Sequence, residues 1–218
     1  VFSNLPREEF CAKHALDTSK PIVALLPGSR HKEIARILPP MLETAAQMTD
    51  VNPAIQFIIA SVSKNRRTEI ESIIKQSVQK KLKLPDILLI VAEETREALN
   101  ASDAAAVTSG TATLETAIIG TPMVIVYKTS RINYKLLRPL ISVEHFGLIN
   151  LIARERLAGE LIQDDFMPEF LAEELFRLLD APENKKMRER LRKVADTLGK
   201  GGASKRAAQA ILKLLGKN

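Results

Sequence analysis

Two short segments carry residue types and spacings suited to holding an anionic ligand. One is Leu25-Leu26-Pro27-Gly28-Ser29-Arg30, an apolar run ending in a glycine turn just before a helical pattern. Gly28 permits a sharp turn, Ser29 can cap the helix that follows, and free amides at a helix start attract phosphate or carboxylate. Arg30 adds a planar fork of donors that matches phosphate oxygens or stacks on a base. The other is Thr108-Ser109-Gly110-Thr111-Ala112-Thr113-Leu114-Glu115. Ser109, Gly110 and Thr111 offer hydroxyls and amides, again where a helix begins. Glu115 follows Thr111 by one helical turn and falls on the same face. A carboxylate there can accept both hydroxyls of a ribose while the amides hold the attached phosphates. A second reading stays open, in which Thr111 caps the helix and Glu115 is simply exposed.

Neither segment has the G-x-x-x-x-G-K-[ST] spacing of an ATPase phosphate loop or the G-x-G-x-x-G of a dinucleotide site. His14, His31 and His145 are scattered, with no H-E-x-x-H and no neighbouring cysteine, so the pattern predicts no metal site. Glu93 and Glu94 fit an acidic start to a helix. The single cysteine, Cys11, excludes a disulfide framework and reads as a small buried hydrophobe. Seven Phe, two Tyr and no Trp leave few aromatic platforms for single-stranded nucleic acid.

The elements that must position these segments follow from periodicity. Ile22–Leu26, Ile55–Ala60, Ile87–Val91, Ala104–Val107 and Met123–Val126 are apolar runs with little alternation, as in strands covered on both faces. Helical patterns fall between them at Glu33–Met48, Lys64–Lys81, Glu94–Asn100 and Ala112–Ile119. Strands alternating with helices predict an α/β, Rossmann-like, doubly wound parallel sheet. In such a sheet, ligands bind beyond the carboxyl ends of the strands, where both segments lie. Beyond Tyr127, helices are expected at Ser130–Leu140, Pro168–Leu179, Asn184–Leu198 and Ala203–Leu215, with an aperiodic loop over Ile141–Leu151.

The chain has 218 residues, 45% of them apolar and 27% charged, enough for a substantial core without a covalent staple. No apolar run approaches the roughly 18 residues of a membrane span. The first residue is Val1, and the sequence reads as a fragment of something longer. Charge is uneven: residues 183–218 hold eleven Lys/Arg against three Asp/Glu, a net +8, so residues 1–182 carry −2 of the overall +6. This divides the chain into a Rossmann-like domain over 1–182 and basic C-terminal helices over 183–218. Such a tail suits an anionic partner, a membrane surface or a nucleic acid, or else a solvated helix pair.

Read in order, several motifs resemble one family. They are L-L-P-G-S-R at Leu25–Arg30 with Glu33-Ile34, S-G-T-A-T-L-E at Ser109–Glu115, and P-M-V-I-V-Y-K at Pro122–Lys128. They continue with Asn150-Leu151-Ile152, E-L-I-Q-D-D at Glu160–Asp165 and G-G-A-S-K-R-A-A at Gly201–Ala208. The string is similar to that of lipid-A-disaccharide synthase from about Pro21 to the C-terminus, departing from it at Ile149, Ala153 and Ala158-Gly159.

The resemblance implies the C-terminal half of a GT-B glycosyltransferase, inactive without its N-terminal half, where the catalytic groups are expected. The implied reaction moves 2,3-diacylglucosamine from its UDP-activated form to 2,3-diacylglucosamine 1-phosphate, inverts the anomeric centre and releases UDP. Gly28 and Ser29 would belong to the UDP site, Arg30 would face the uridine and diphosphate, Ser109, Gly110 and Thr111 the phosphates, and Glu115 the ribose. Asn150 would line the donor pocket. No cofactor, metal or nucleic acid is implied. The expected partners are the two acylated sugars, the missing half, a second copy through the C-terminal helices, and an anionic membrane. The expected place is the cytoplasmic side of a Gram-negative inner membrane. Two other readings stay open: another UDP-sugar enzyme of this fold, such as a 2-epimerase or a peptidoglycan-precursor transferase, and a non-enzymatic nucleic-acid-binding module.

Overall fold

Strands buried on both faces need helices on both sides of the sheet, and the chain supplies them in alternation. The computed structural model describes residues 5–132, 134, 144–198 and 202–215. Its strands are β1 (Ile22–Leu26), β2 (Gln56–Ser61), β3 (Leu88–Ala92), β4 (Ala104–Thr108), β5 (Met123–Tyr127) and β6 (Gly159–Ile162). They form one parallel sheet in the order β3-β2-β1-β4-β5-β6. β1, β2 and β4 are buried along their whole length, which is why their sequences show no alternation.

The helices are α1 (Arg7–Lys13), α2 (His31–Val51), α3 (Lys64–Gln79), α4 (Thr95–Ala101) and α5 (Thr111–Ile119). They continue as α6 (Leu148–Ala153), α7 (Pro168–Leu179), α8 (Ala181–Thr197) and α9 (Ala203–Leu214). Helix α2 packs against α3 and α7 on one side of the sheet. Helices α1, α4, α5, α6 and α8 form a connected layer on the other. The expected doubly wound architecture is therefore the one found. Helix α2 runs through Pro39 and Pro40, each lacking a helical N–H; its face of Ile34, Ile37, Leu38, Met41, Leu42, Ala45 and Met48 is fully buried, and that packing outweighs the loss.

Three elements differ from the periodicity reading. Helix α1 was not expected; it buries Phe10 and Cys11 in only seven residues. Helix α6 replaces the end of the expected loop over Ile141–Leu151. Strand β6 is a four-residue edge strand carrying a glycine and a glutamate, too short for a β pattern to show. The expected helix over Ser130–Leu140 falls mostly outside the described residues.

In the basic tail, α8 buries Met187 and Leu191 against the fold. Arg188 also turns inward: its Nη1 donates to the Gly120 carbonyl, its Nη2 to that of Ser102, and its Nε to Asn184 Oδ1. Desolvation lowers its pKa below the usual arginine value. Lys185, Lys186, Arg192 and Lys193 remain exposed. On α9, Ile211, Leu212 and Leu214 face solvent, as does Leu215 just beyond it.

Candidate functional site

Strand order runs outward from β1 to β2 and β3, then restarts beside β1 with β4, β5 and β6. The sheet thus reverses direction between β1 and β4, and the crevice beyond their carboxyl ends is where such sheets take ligands. Leu26 pairs with Val107 in register, and Thr108 Oγ1 donates to the Leu26 carbonyl at 2.8 Å. Both sequence segments leave the sheet here, one from each side of the reversal.

After β4, the Ser109 amide donates to Val126 of β5 at 2.9 Å. Gly110 then adopts φ 152°, ψ −162°, a region closed to residues with a Cβ, and becomes the N-cap of α5. A Cβ placed on it would meet nothing within 4 Å, so the space before the helix is open. No side chain caps α5. Thr113 Oγ1 bonds the Gly110 carbonyl instead, and Thr111 is exposed, so the alternative in which Thr111 caps the helix is not the arrangement present. Among the described residues, the amides of Gly110 and Thr111 have no acceptor. Glu115 stands one turn along, 38% exposed, with Arg96 Nη2 of α4 at 3.6 Å. Ser109 is used differently from the sequence expectation: its Oγ donates to the Phe146 carbonyl at 2.6 Å.

After β1, Gly28 has φ +106°, and a Cβ there would lie 2.8 Å from Glu33 Oε2. The turn wraps around the Glu33 side chain. Oε2 accepts the amides of Ser29 and Arg30, both at 3.2 Å, and Oε1 pairs with Arg30 Nη1 at 2.7 Å. This is the glutamate half of a capping box; arginine, lacking an acceptor, cannot supply the other half. Arg66 of α3 donates from Nε to the Ser29 carbonyl at 3.1 Å and pairs through Nη1 with Glu69 at 3.0 Å. Glu69 also meets His31 Nδ1 at 2.5 Å. The turn is therefore fastened to both α2 and α3.

Asn150 is fully buried and spends its amide inside the fold. Its Nδ2 donates to the Ala158 carbonyl and to Glu160 Oε1, both at 2.8 Å, and its Oδ1 accepts the Ala158 amide at 2.9 Å. Glu160 also accepts the amides of Phe146, at 3.0 Å, and Gly147, at 2.9 Å. Sequence reasoning quoted Glu33 and Glu160 as motif residues without giving them a role. The spacing Arg30-x-x-Glu33 was a usable signal for the first; nothing local signals that Glu160 reaches back to Phe146.

Three turns that lead into helices thus meet near the reversal: those before α2 and α6 hold a carboxylate, Glu33 and Glu160, on the two amides just ahead of the helix, and the turn before α5 holds none. A separate cavity of about 1570 Å³ lies at the opposite edge of the sheet, beside Pro21, Asp103 and Gly120, which precede β1, β4 and β5. Its floor includes the carboxyl end of α5, where the dipole repels anions, and its Arg7 and Arg188 are committed to Asp103 and to backbone carbonyls. The open α5 start is the better anion site. Among the described residues no group of three His, Cys, Asp or Glu is placed to hold a metal.

The family model for lipid-A-disaccharide synthetase matches residues 1–214. The chain belongs to that family. The lipid-A-disaccharide synthase of Geobacter metallireducens is 39% identical over 219 residues, covering 100% of this chain and 55% of the relative. That of Trichlorobacter lovleyi is 38% identical, covering 97% and 54%. The chain spans about half the length of these curated relatives. Among solved structures, WaaG, a glycosyltransferase involved in lipopolysaccharide biosynthesis, is similar with TM-score 0.63 at 17% identity over 94% of this chain and 50% of that one. The C-terminal CMP-Kdo binding domain of WaaA from Acinetobacter baumannii matches with TM-score 0.54 at 12% identity, over 86% of this chain and 95% of that domain. Both likenesses concern the fold.

Proposed function

We propose that this chain is the donor-binding half of a lipid-A-disaccharide synthase. It holds UDP-2,3-diacylglucosamine while the absent half presents 2,3-diacylglucosamine 1-phosphate. The observation that carries this reading is the open start of α5 at the sheet reversal, with Glu115 one turn behind it. In this reading the Gly110 and Thr111 amides and the α5 dipole take the diphosphate, and Glu115 takes the ribose hydroxyls. As the sugar–phosphate bond breaks, charge develops on the departing UDP, and fixed amides stabilise it without reorganisation. Arg30 completes the charge balance from the β1 side. Deprotonation and alignment of the attacking hydroxyl need groups across the cleft, so this chain alone forms no disaccharide.

Calorimetry with UDP and 2′-deoxy-UDP tests the assignment. UDP should bind more tightly, and Glu115→Ala should cost UDP about 1–3 kcal/mol and erase the difference between the two. Equal affinity for the two nucleotides, or no loss in the variant, defeats the ribose assignment.

The tail is read in the same frame. The exposed apolar residues of α9 would pack against the absent half or a second copy, while Lys185, Lys186, Arg192 and Lys193 would face an anionic membrane from the cytoplasmic side. Each basic residue contributes about 1 kcal/mol at such a surface, screened by salt. Among the described residues no helix is long and apolar enough to cross a membrane. Co-sedimentation with phosphatidylglycerol vesicles at low and high salt tests the membrane contact. Light scattering of the full-length enzyme tests the dimer.

A further inference from the structure

The Ser29 and Arg30 amides line the β1–α2 turn just ahead of α2, and both already bond one oxygen of Glu33. The other oxygen of the same carboxylate holds the Arg30 guanidinium. We propose that Glu33 is a positioning residue for the donor: Oε2 fills the β1–α2 turn as an internal anion, while Oε1 holds Arg30 until the incoming diphosphate draws it away. This rests on the nucleotide reading above and adds a division of labour between the two loops.

The two oxygens of Glu33 are held very differently. Oε2 is enclosed by two amides and by Gly28, whose missing Cβ makes room for it. The turn backbone is fastened a second time by Arg66 Nε at the Ser29 carbonyl. A phosphate entering that turn would have to expel a carboxylate whose side chain is 18% exposed. The Arg30 side chain, by contrast, is 81% exposed and touches Glu33 through one nitrogen. An exposed ion pair of this kind restrains its partner by only about two- to fivefold. A diphosphate carries more charge than one carboxylate and can accept both arms of the guanidinium. The moving part is therefore the Arg30 side chain, and the amides stay with Glu33.

The experiment is a double-mutant cycle on this 218-residue chain, with UDP and uridine as probes. Glu33→Gln keeps an oxygen for the two amides but removes the charge that competes for Arg30. UDP binding should tighten about two- to fivefold, and uridine binding should not change. In an Arg30→Gln background, the effect of Glu33→Gln on UDP should vanish. An equal effect on uridine, or one that persists without Arg30, overturns the proposal while leaving the nucleotide reading intact. If the unaltered chain binds no UDP, both fall together. A second measurement needs no Glu33 variant: on UDP titration the Arg30 Nε–H resonance should shift, and the Ser29 and Arg30 amides should keep their exchange rates. Unmoved Arg30 resonances, or amides that shift onto the phosphate, overturn it as well.

Discussion

Thr108 Oγ1 donates a hydrogen bond to the carbonyl of Leu26, 82 residues away in sequence, at 2.8 Å. It joins the last residue of β4 to the last residue of β1, across the line where strand order reverses. Both candidate loops begin within two residues of this bond, so it sets their separation. Thr108→Val keeps the shape and leaves a buried carbonyl with one acceptor site unmet, which costs about 1–3 kcal/mol. For a chain of this size, that lowers the midpoint of thermal unfolding by about 2–4 °C per kcal/mol. Thermal melts should show the loss, and UDP affinity should fall with it because the two loops drift apart. A variant with unchanged melting and unchanged affinity would falsify the role given to this bond.

Gly110 presents a different cost. Its φ of 152° with ψ −162° lies where essentially only glycine is found, yet a Cβ there would meet no neighbour within 4 Å. Gly110→Ala therefore strains the backbone without overpacking anything, at about 1–3 kcal/mol. To relieve that strain the chain must rotate the Gly110 and Thr111 amides that face the open space. UDP affinity should drop at least about tenfold, since hydrogen bonds to charged groups carry about 1.5–3 kcal/mol each. A melt and a UDP titration on one sample check this; full affinity in a folded variant places the phosphates elsewhere.

The contrast between these residues and Glu33 shows what the sequence could reveal. Runs such as Ile22–Leu26 and Ala104–Val107 were legible as strands because burial on both faces removes alternation, and the turns after them were legible because glycine and hydroxyl residues have local reasons to be there. Whether those turns are open or filled was not legible. It depends on which carboxylate folds back onto them. Glu33 does so across three residues, a spacing that could have been read; Glu160 does so across thirteen, by way of the edge strand β6. β6 itself was missed because four residues with one glycine and one glutamate show no strand pattern. The same limit applied to Ser109 and Asn150, whose polar groups fit a ligand on paper and bond inside the fold.

Glu94 supplies a pH dependence. Its Oε2 lies 2.7 Å from Lys13 Nζ and 3.1 Å from His14 Nε2, tying α4 to the end of α1. The hydrogen bond from Lys13 is the largest cause holding the Glu94 carboxyl below its ordinary value of 4.5. A carboxyl depressed in the folded state stabilises the fold above its unfolded pKa, and that contribution disappears as pH falls through the folded one. Glu94→Gln should thus cost about 0.5–1 kcal/mol at pH 7, the range for a partly exposed pair, and less near pH 3. Urea unfolding at the two pH values reads this directly. A difference that persists undiminished in acid assigns the effect to packing.

Glu160 gives the sharpest test of the second filled turn, the one that leads into α6. Its Oε1 accepts the Gly147 amide and Asn150 Nδ2, and its Oε2 accepts the Phe146 amide at 3.0 Å, so both oxygens are committed to N–H donors. Glu160→Gln preserves length but turns one of those oxygens into an NH₂ group. Set at the Oε2 position, that nitrogen leaves Phe146 only its second bond, to Oε1 at 3.1 Å; set at the Oε1 position, it faces the Gly147 amide and Asn150 Nδ2 and strands both. Gly147 cannot shift to compensate, because it already packs so closely on Ile125 that a Cβ would collide with Cδ1. The expected loss is about 1–3 kcal/mol of stability. The Phe146 carbonyl should slacken its hold on Ser109 Oγ, which now stands at 2.6 Å. Hydrogen exchange should quicken at Phe146, Gly147 and Asn150 while the β1 and β4 amides stay protected. A stable variant with unchanged exchange at those three residues would show that the carboxylate is not what seats α6 beside the candidate site.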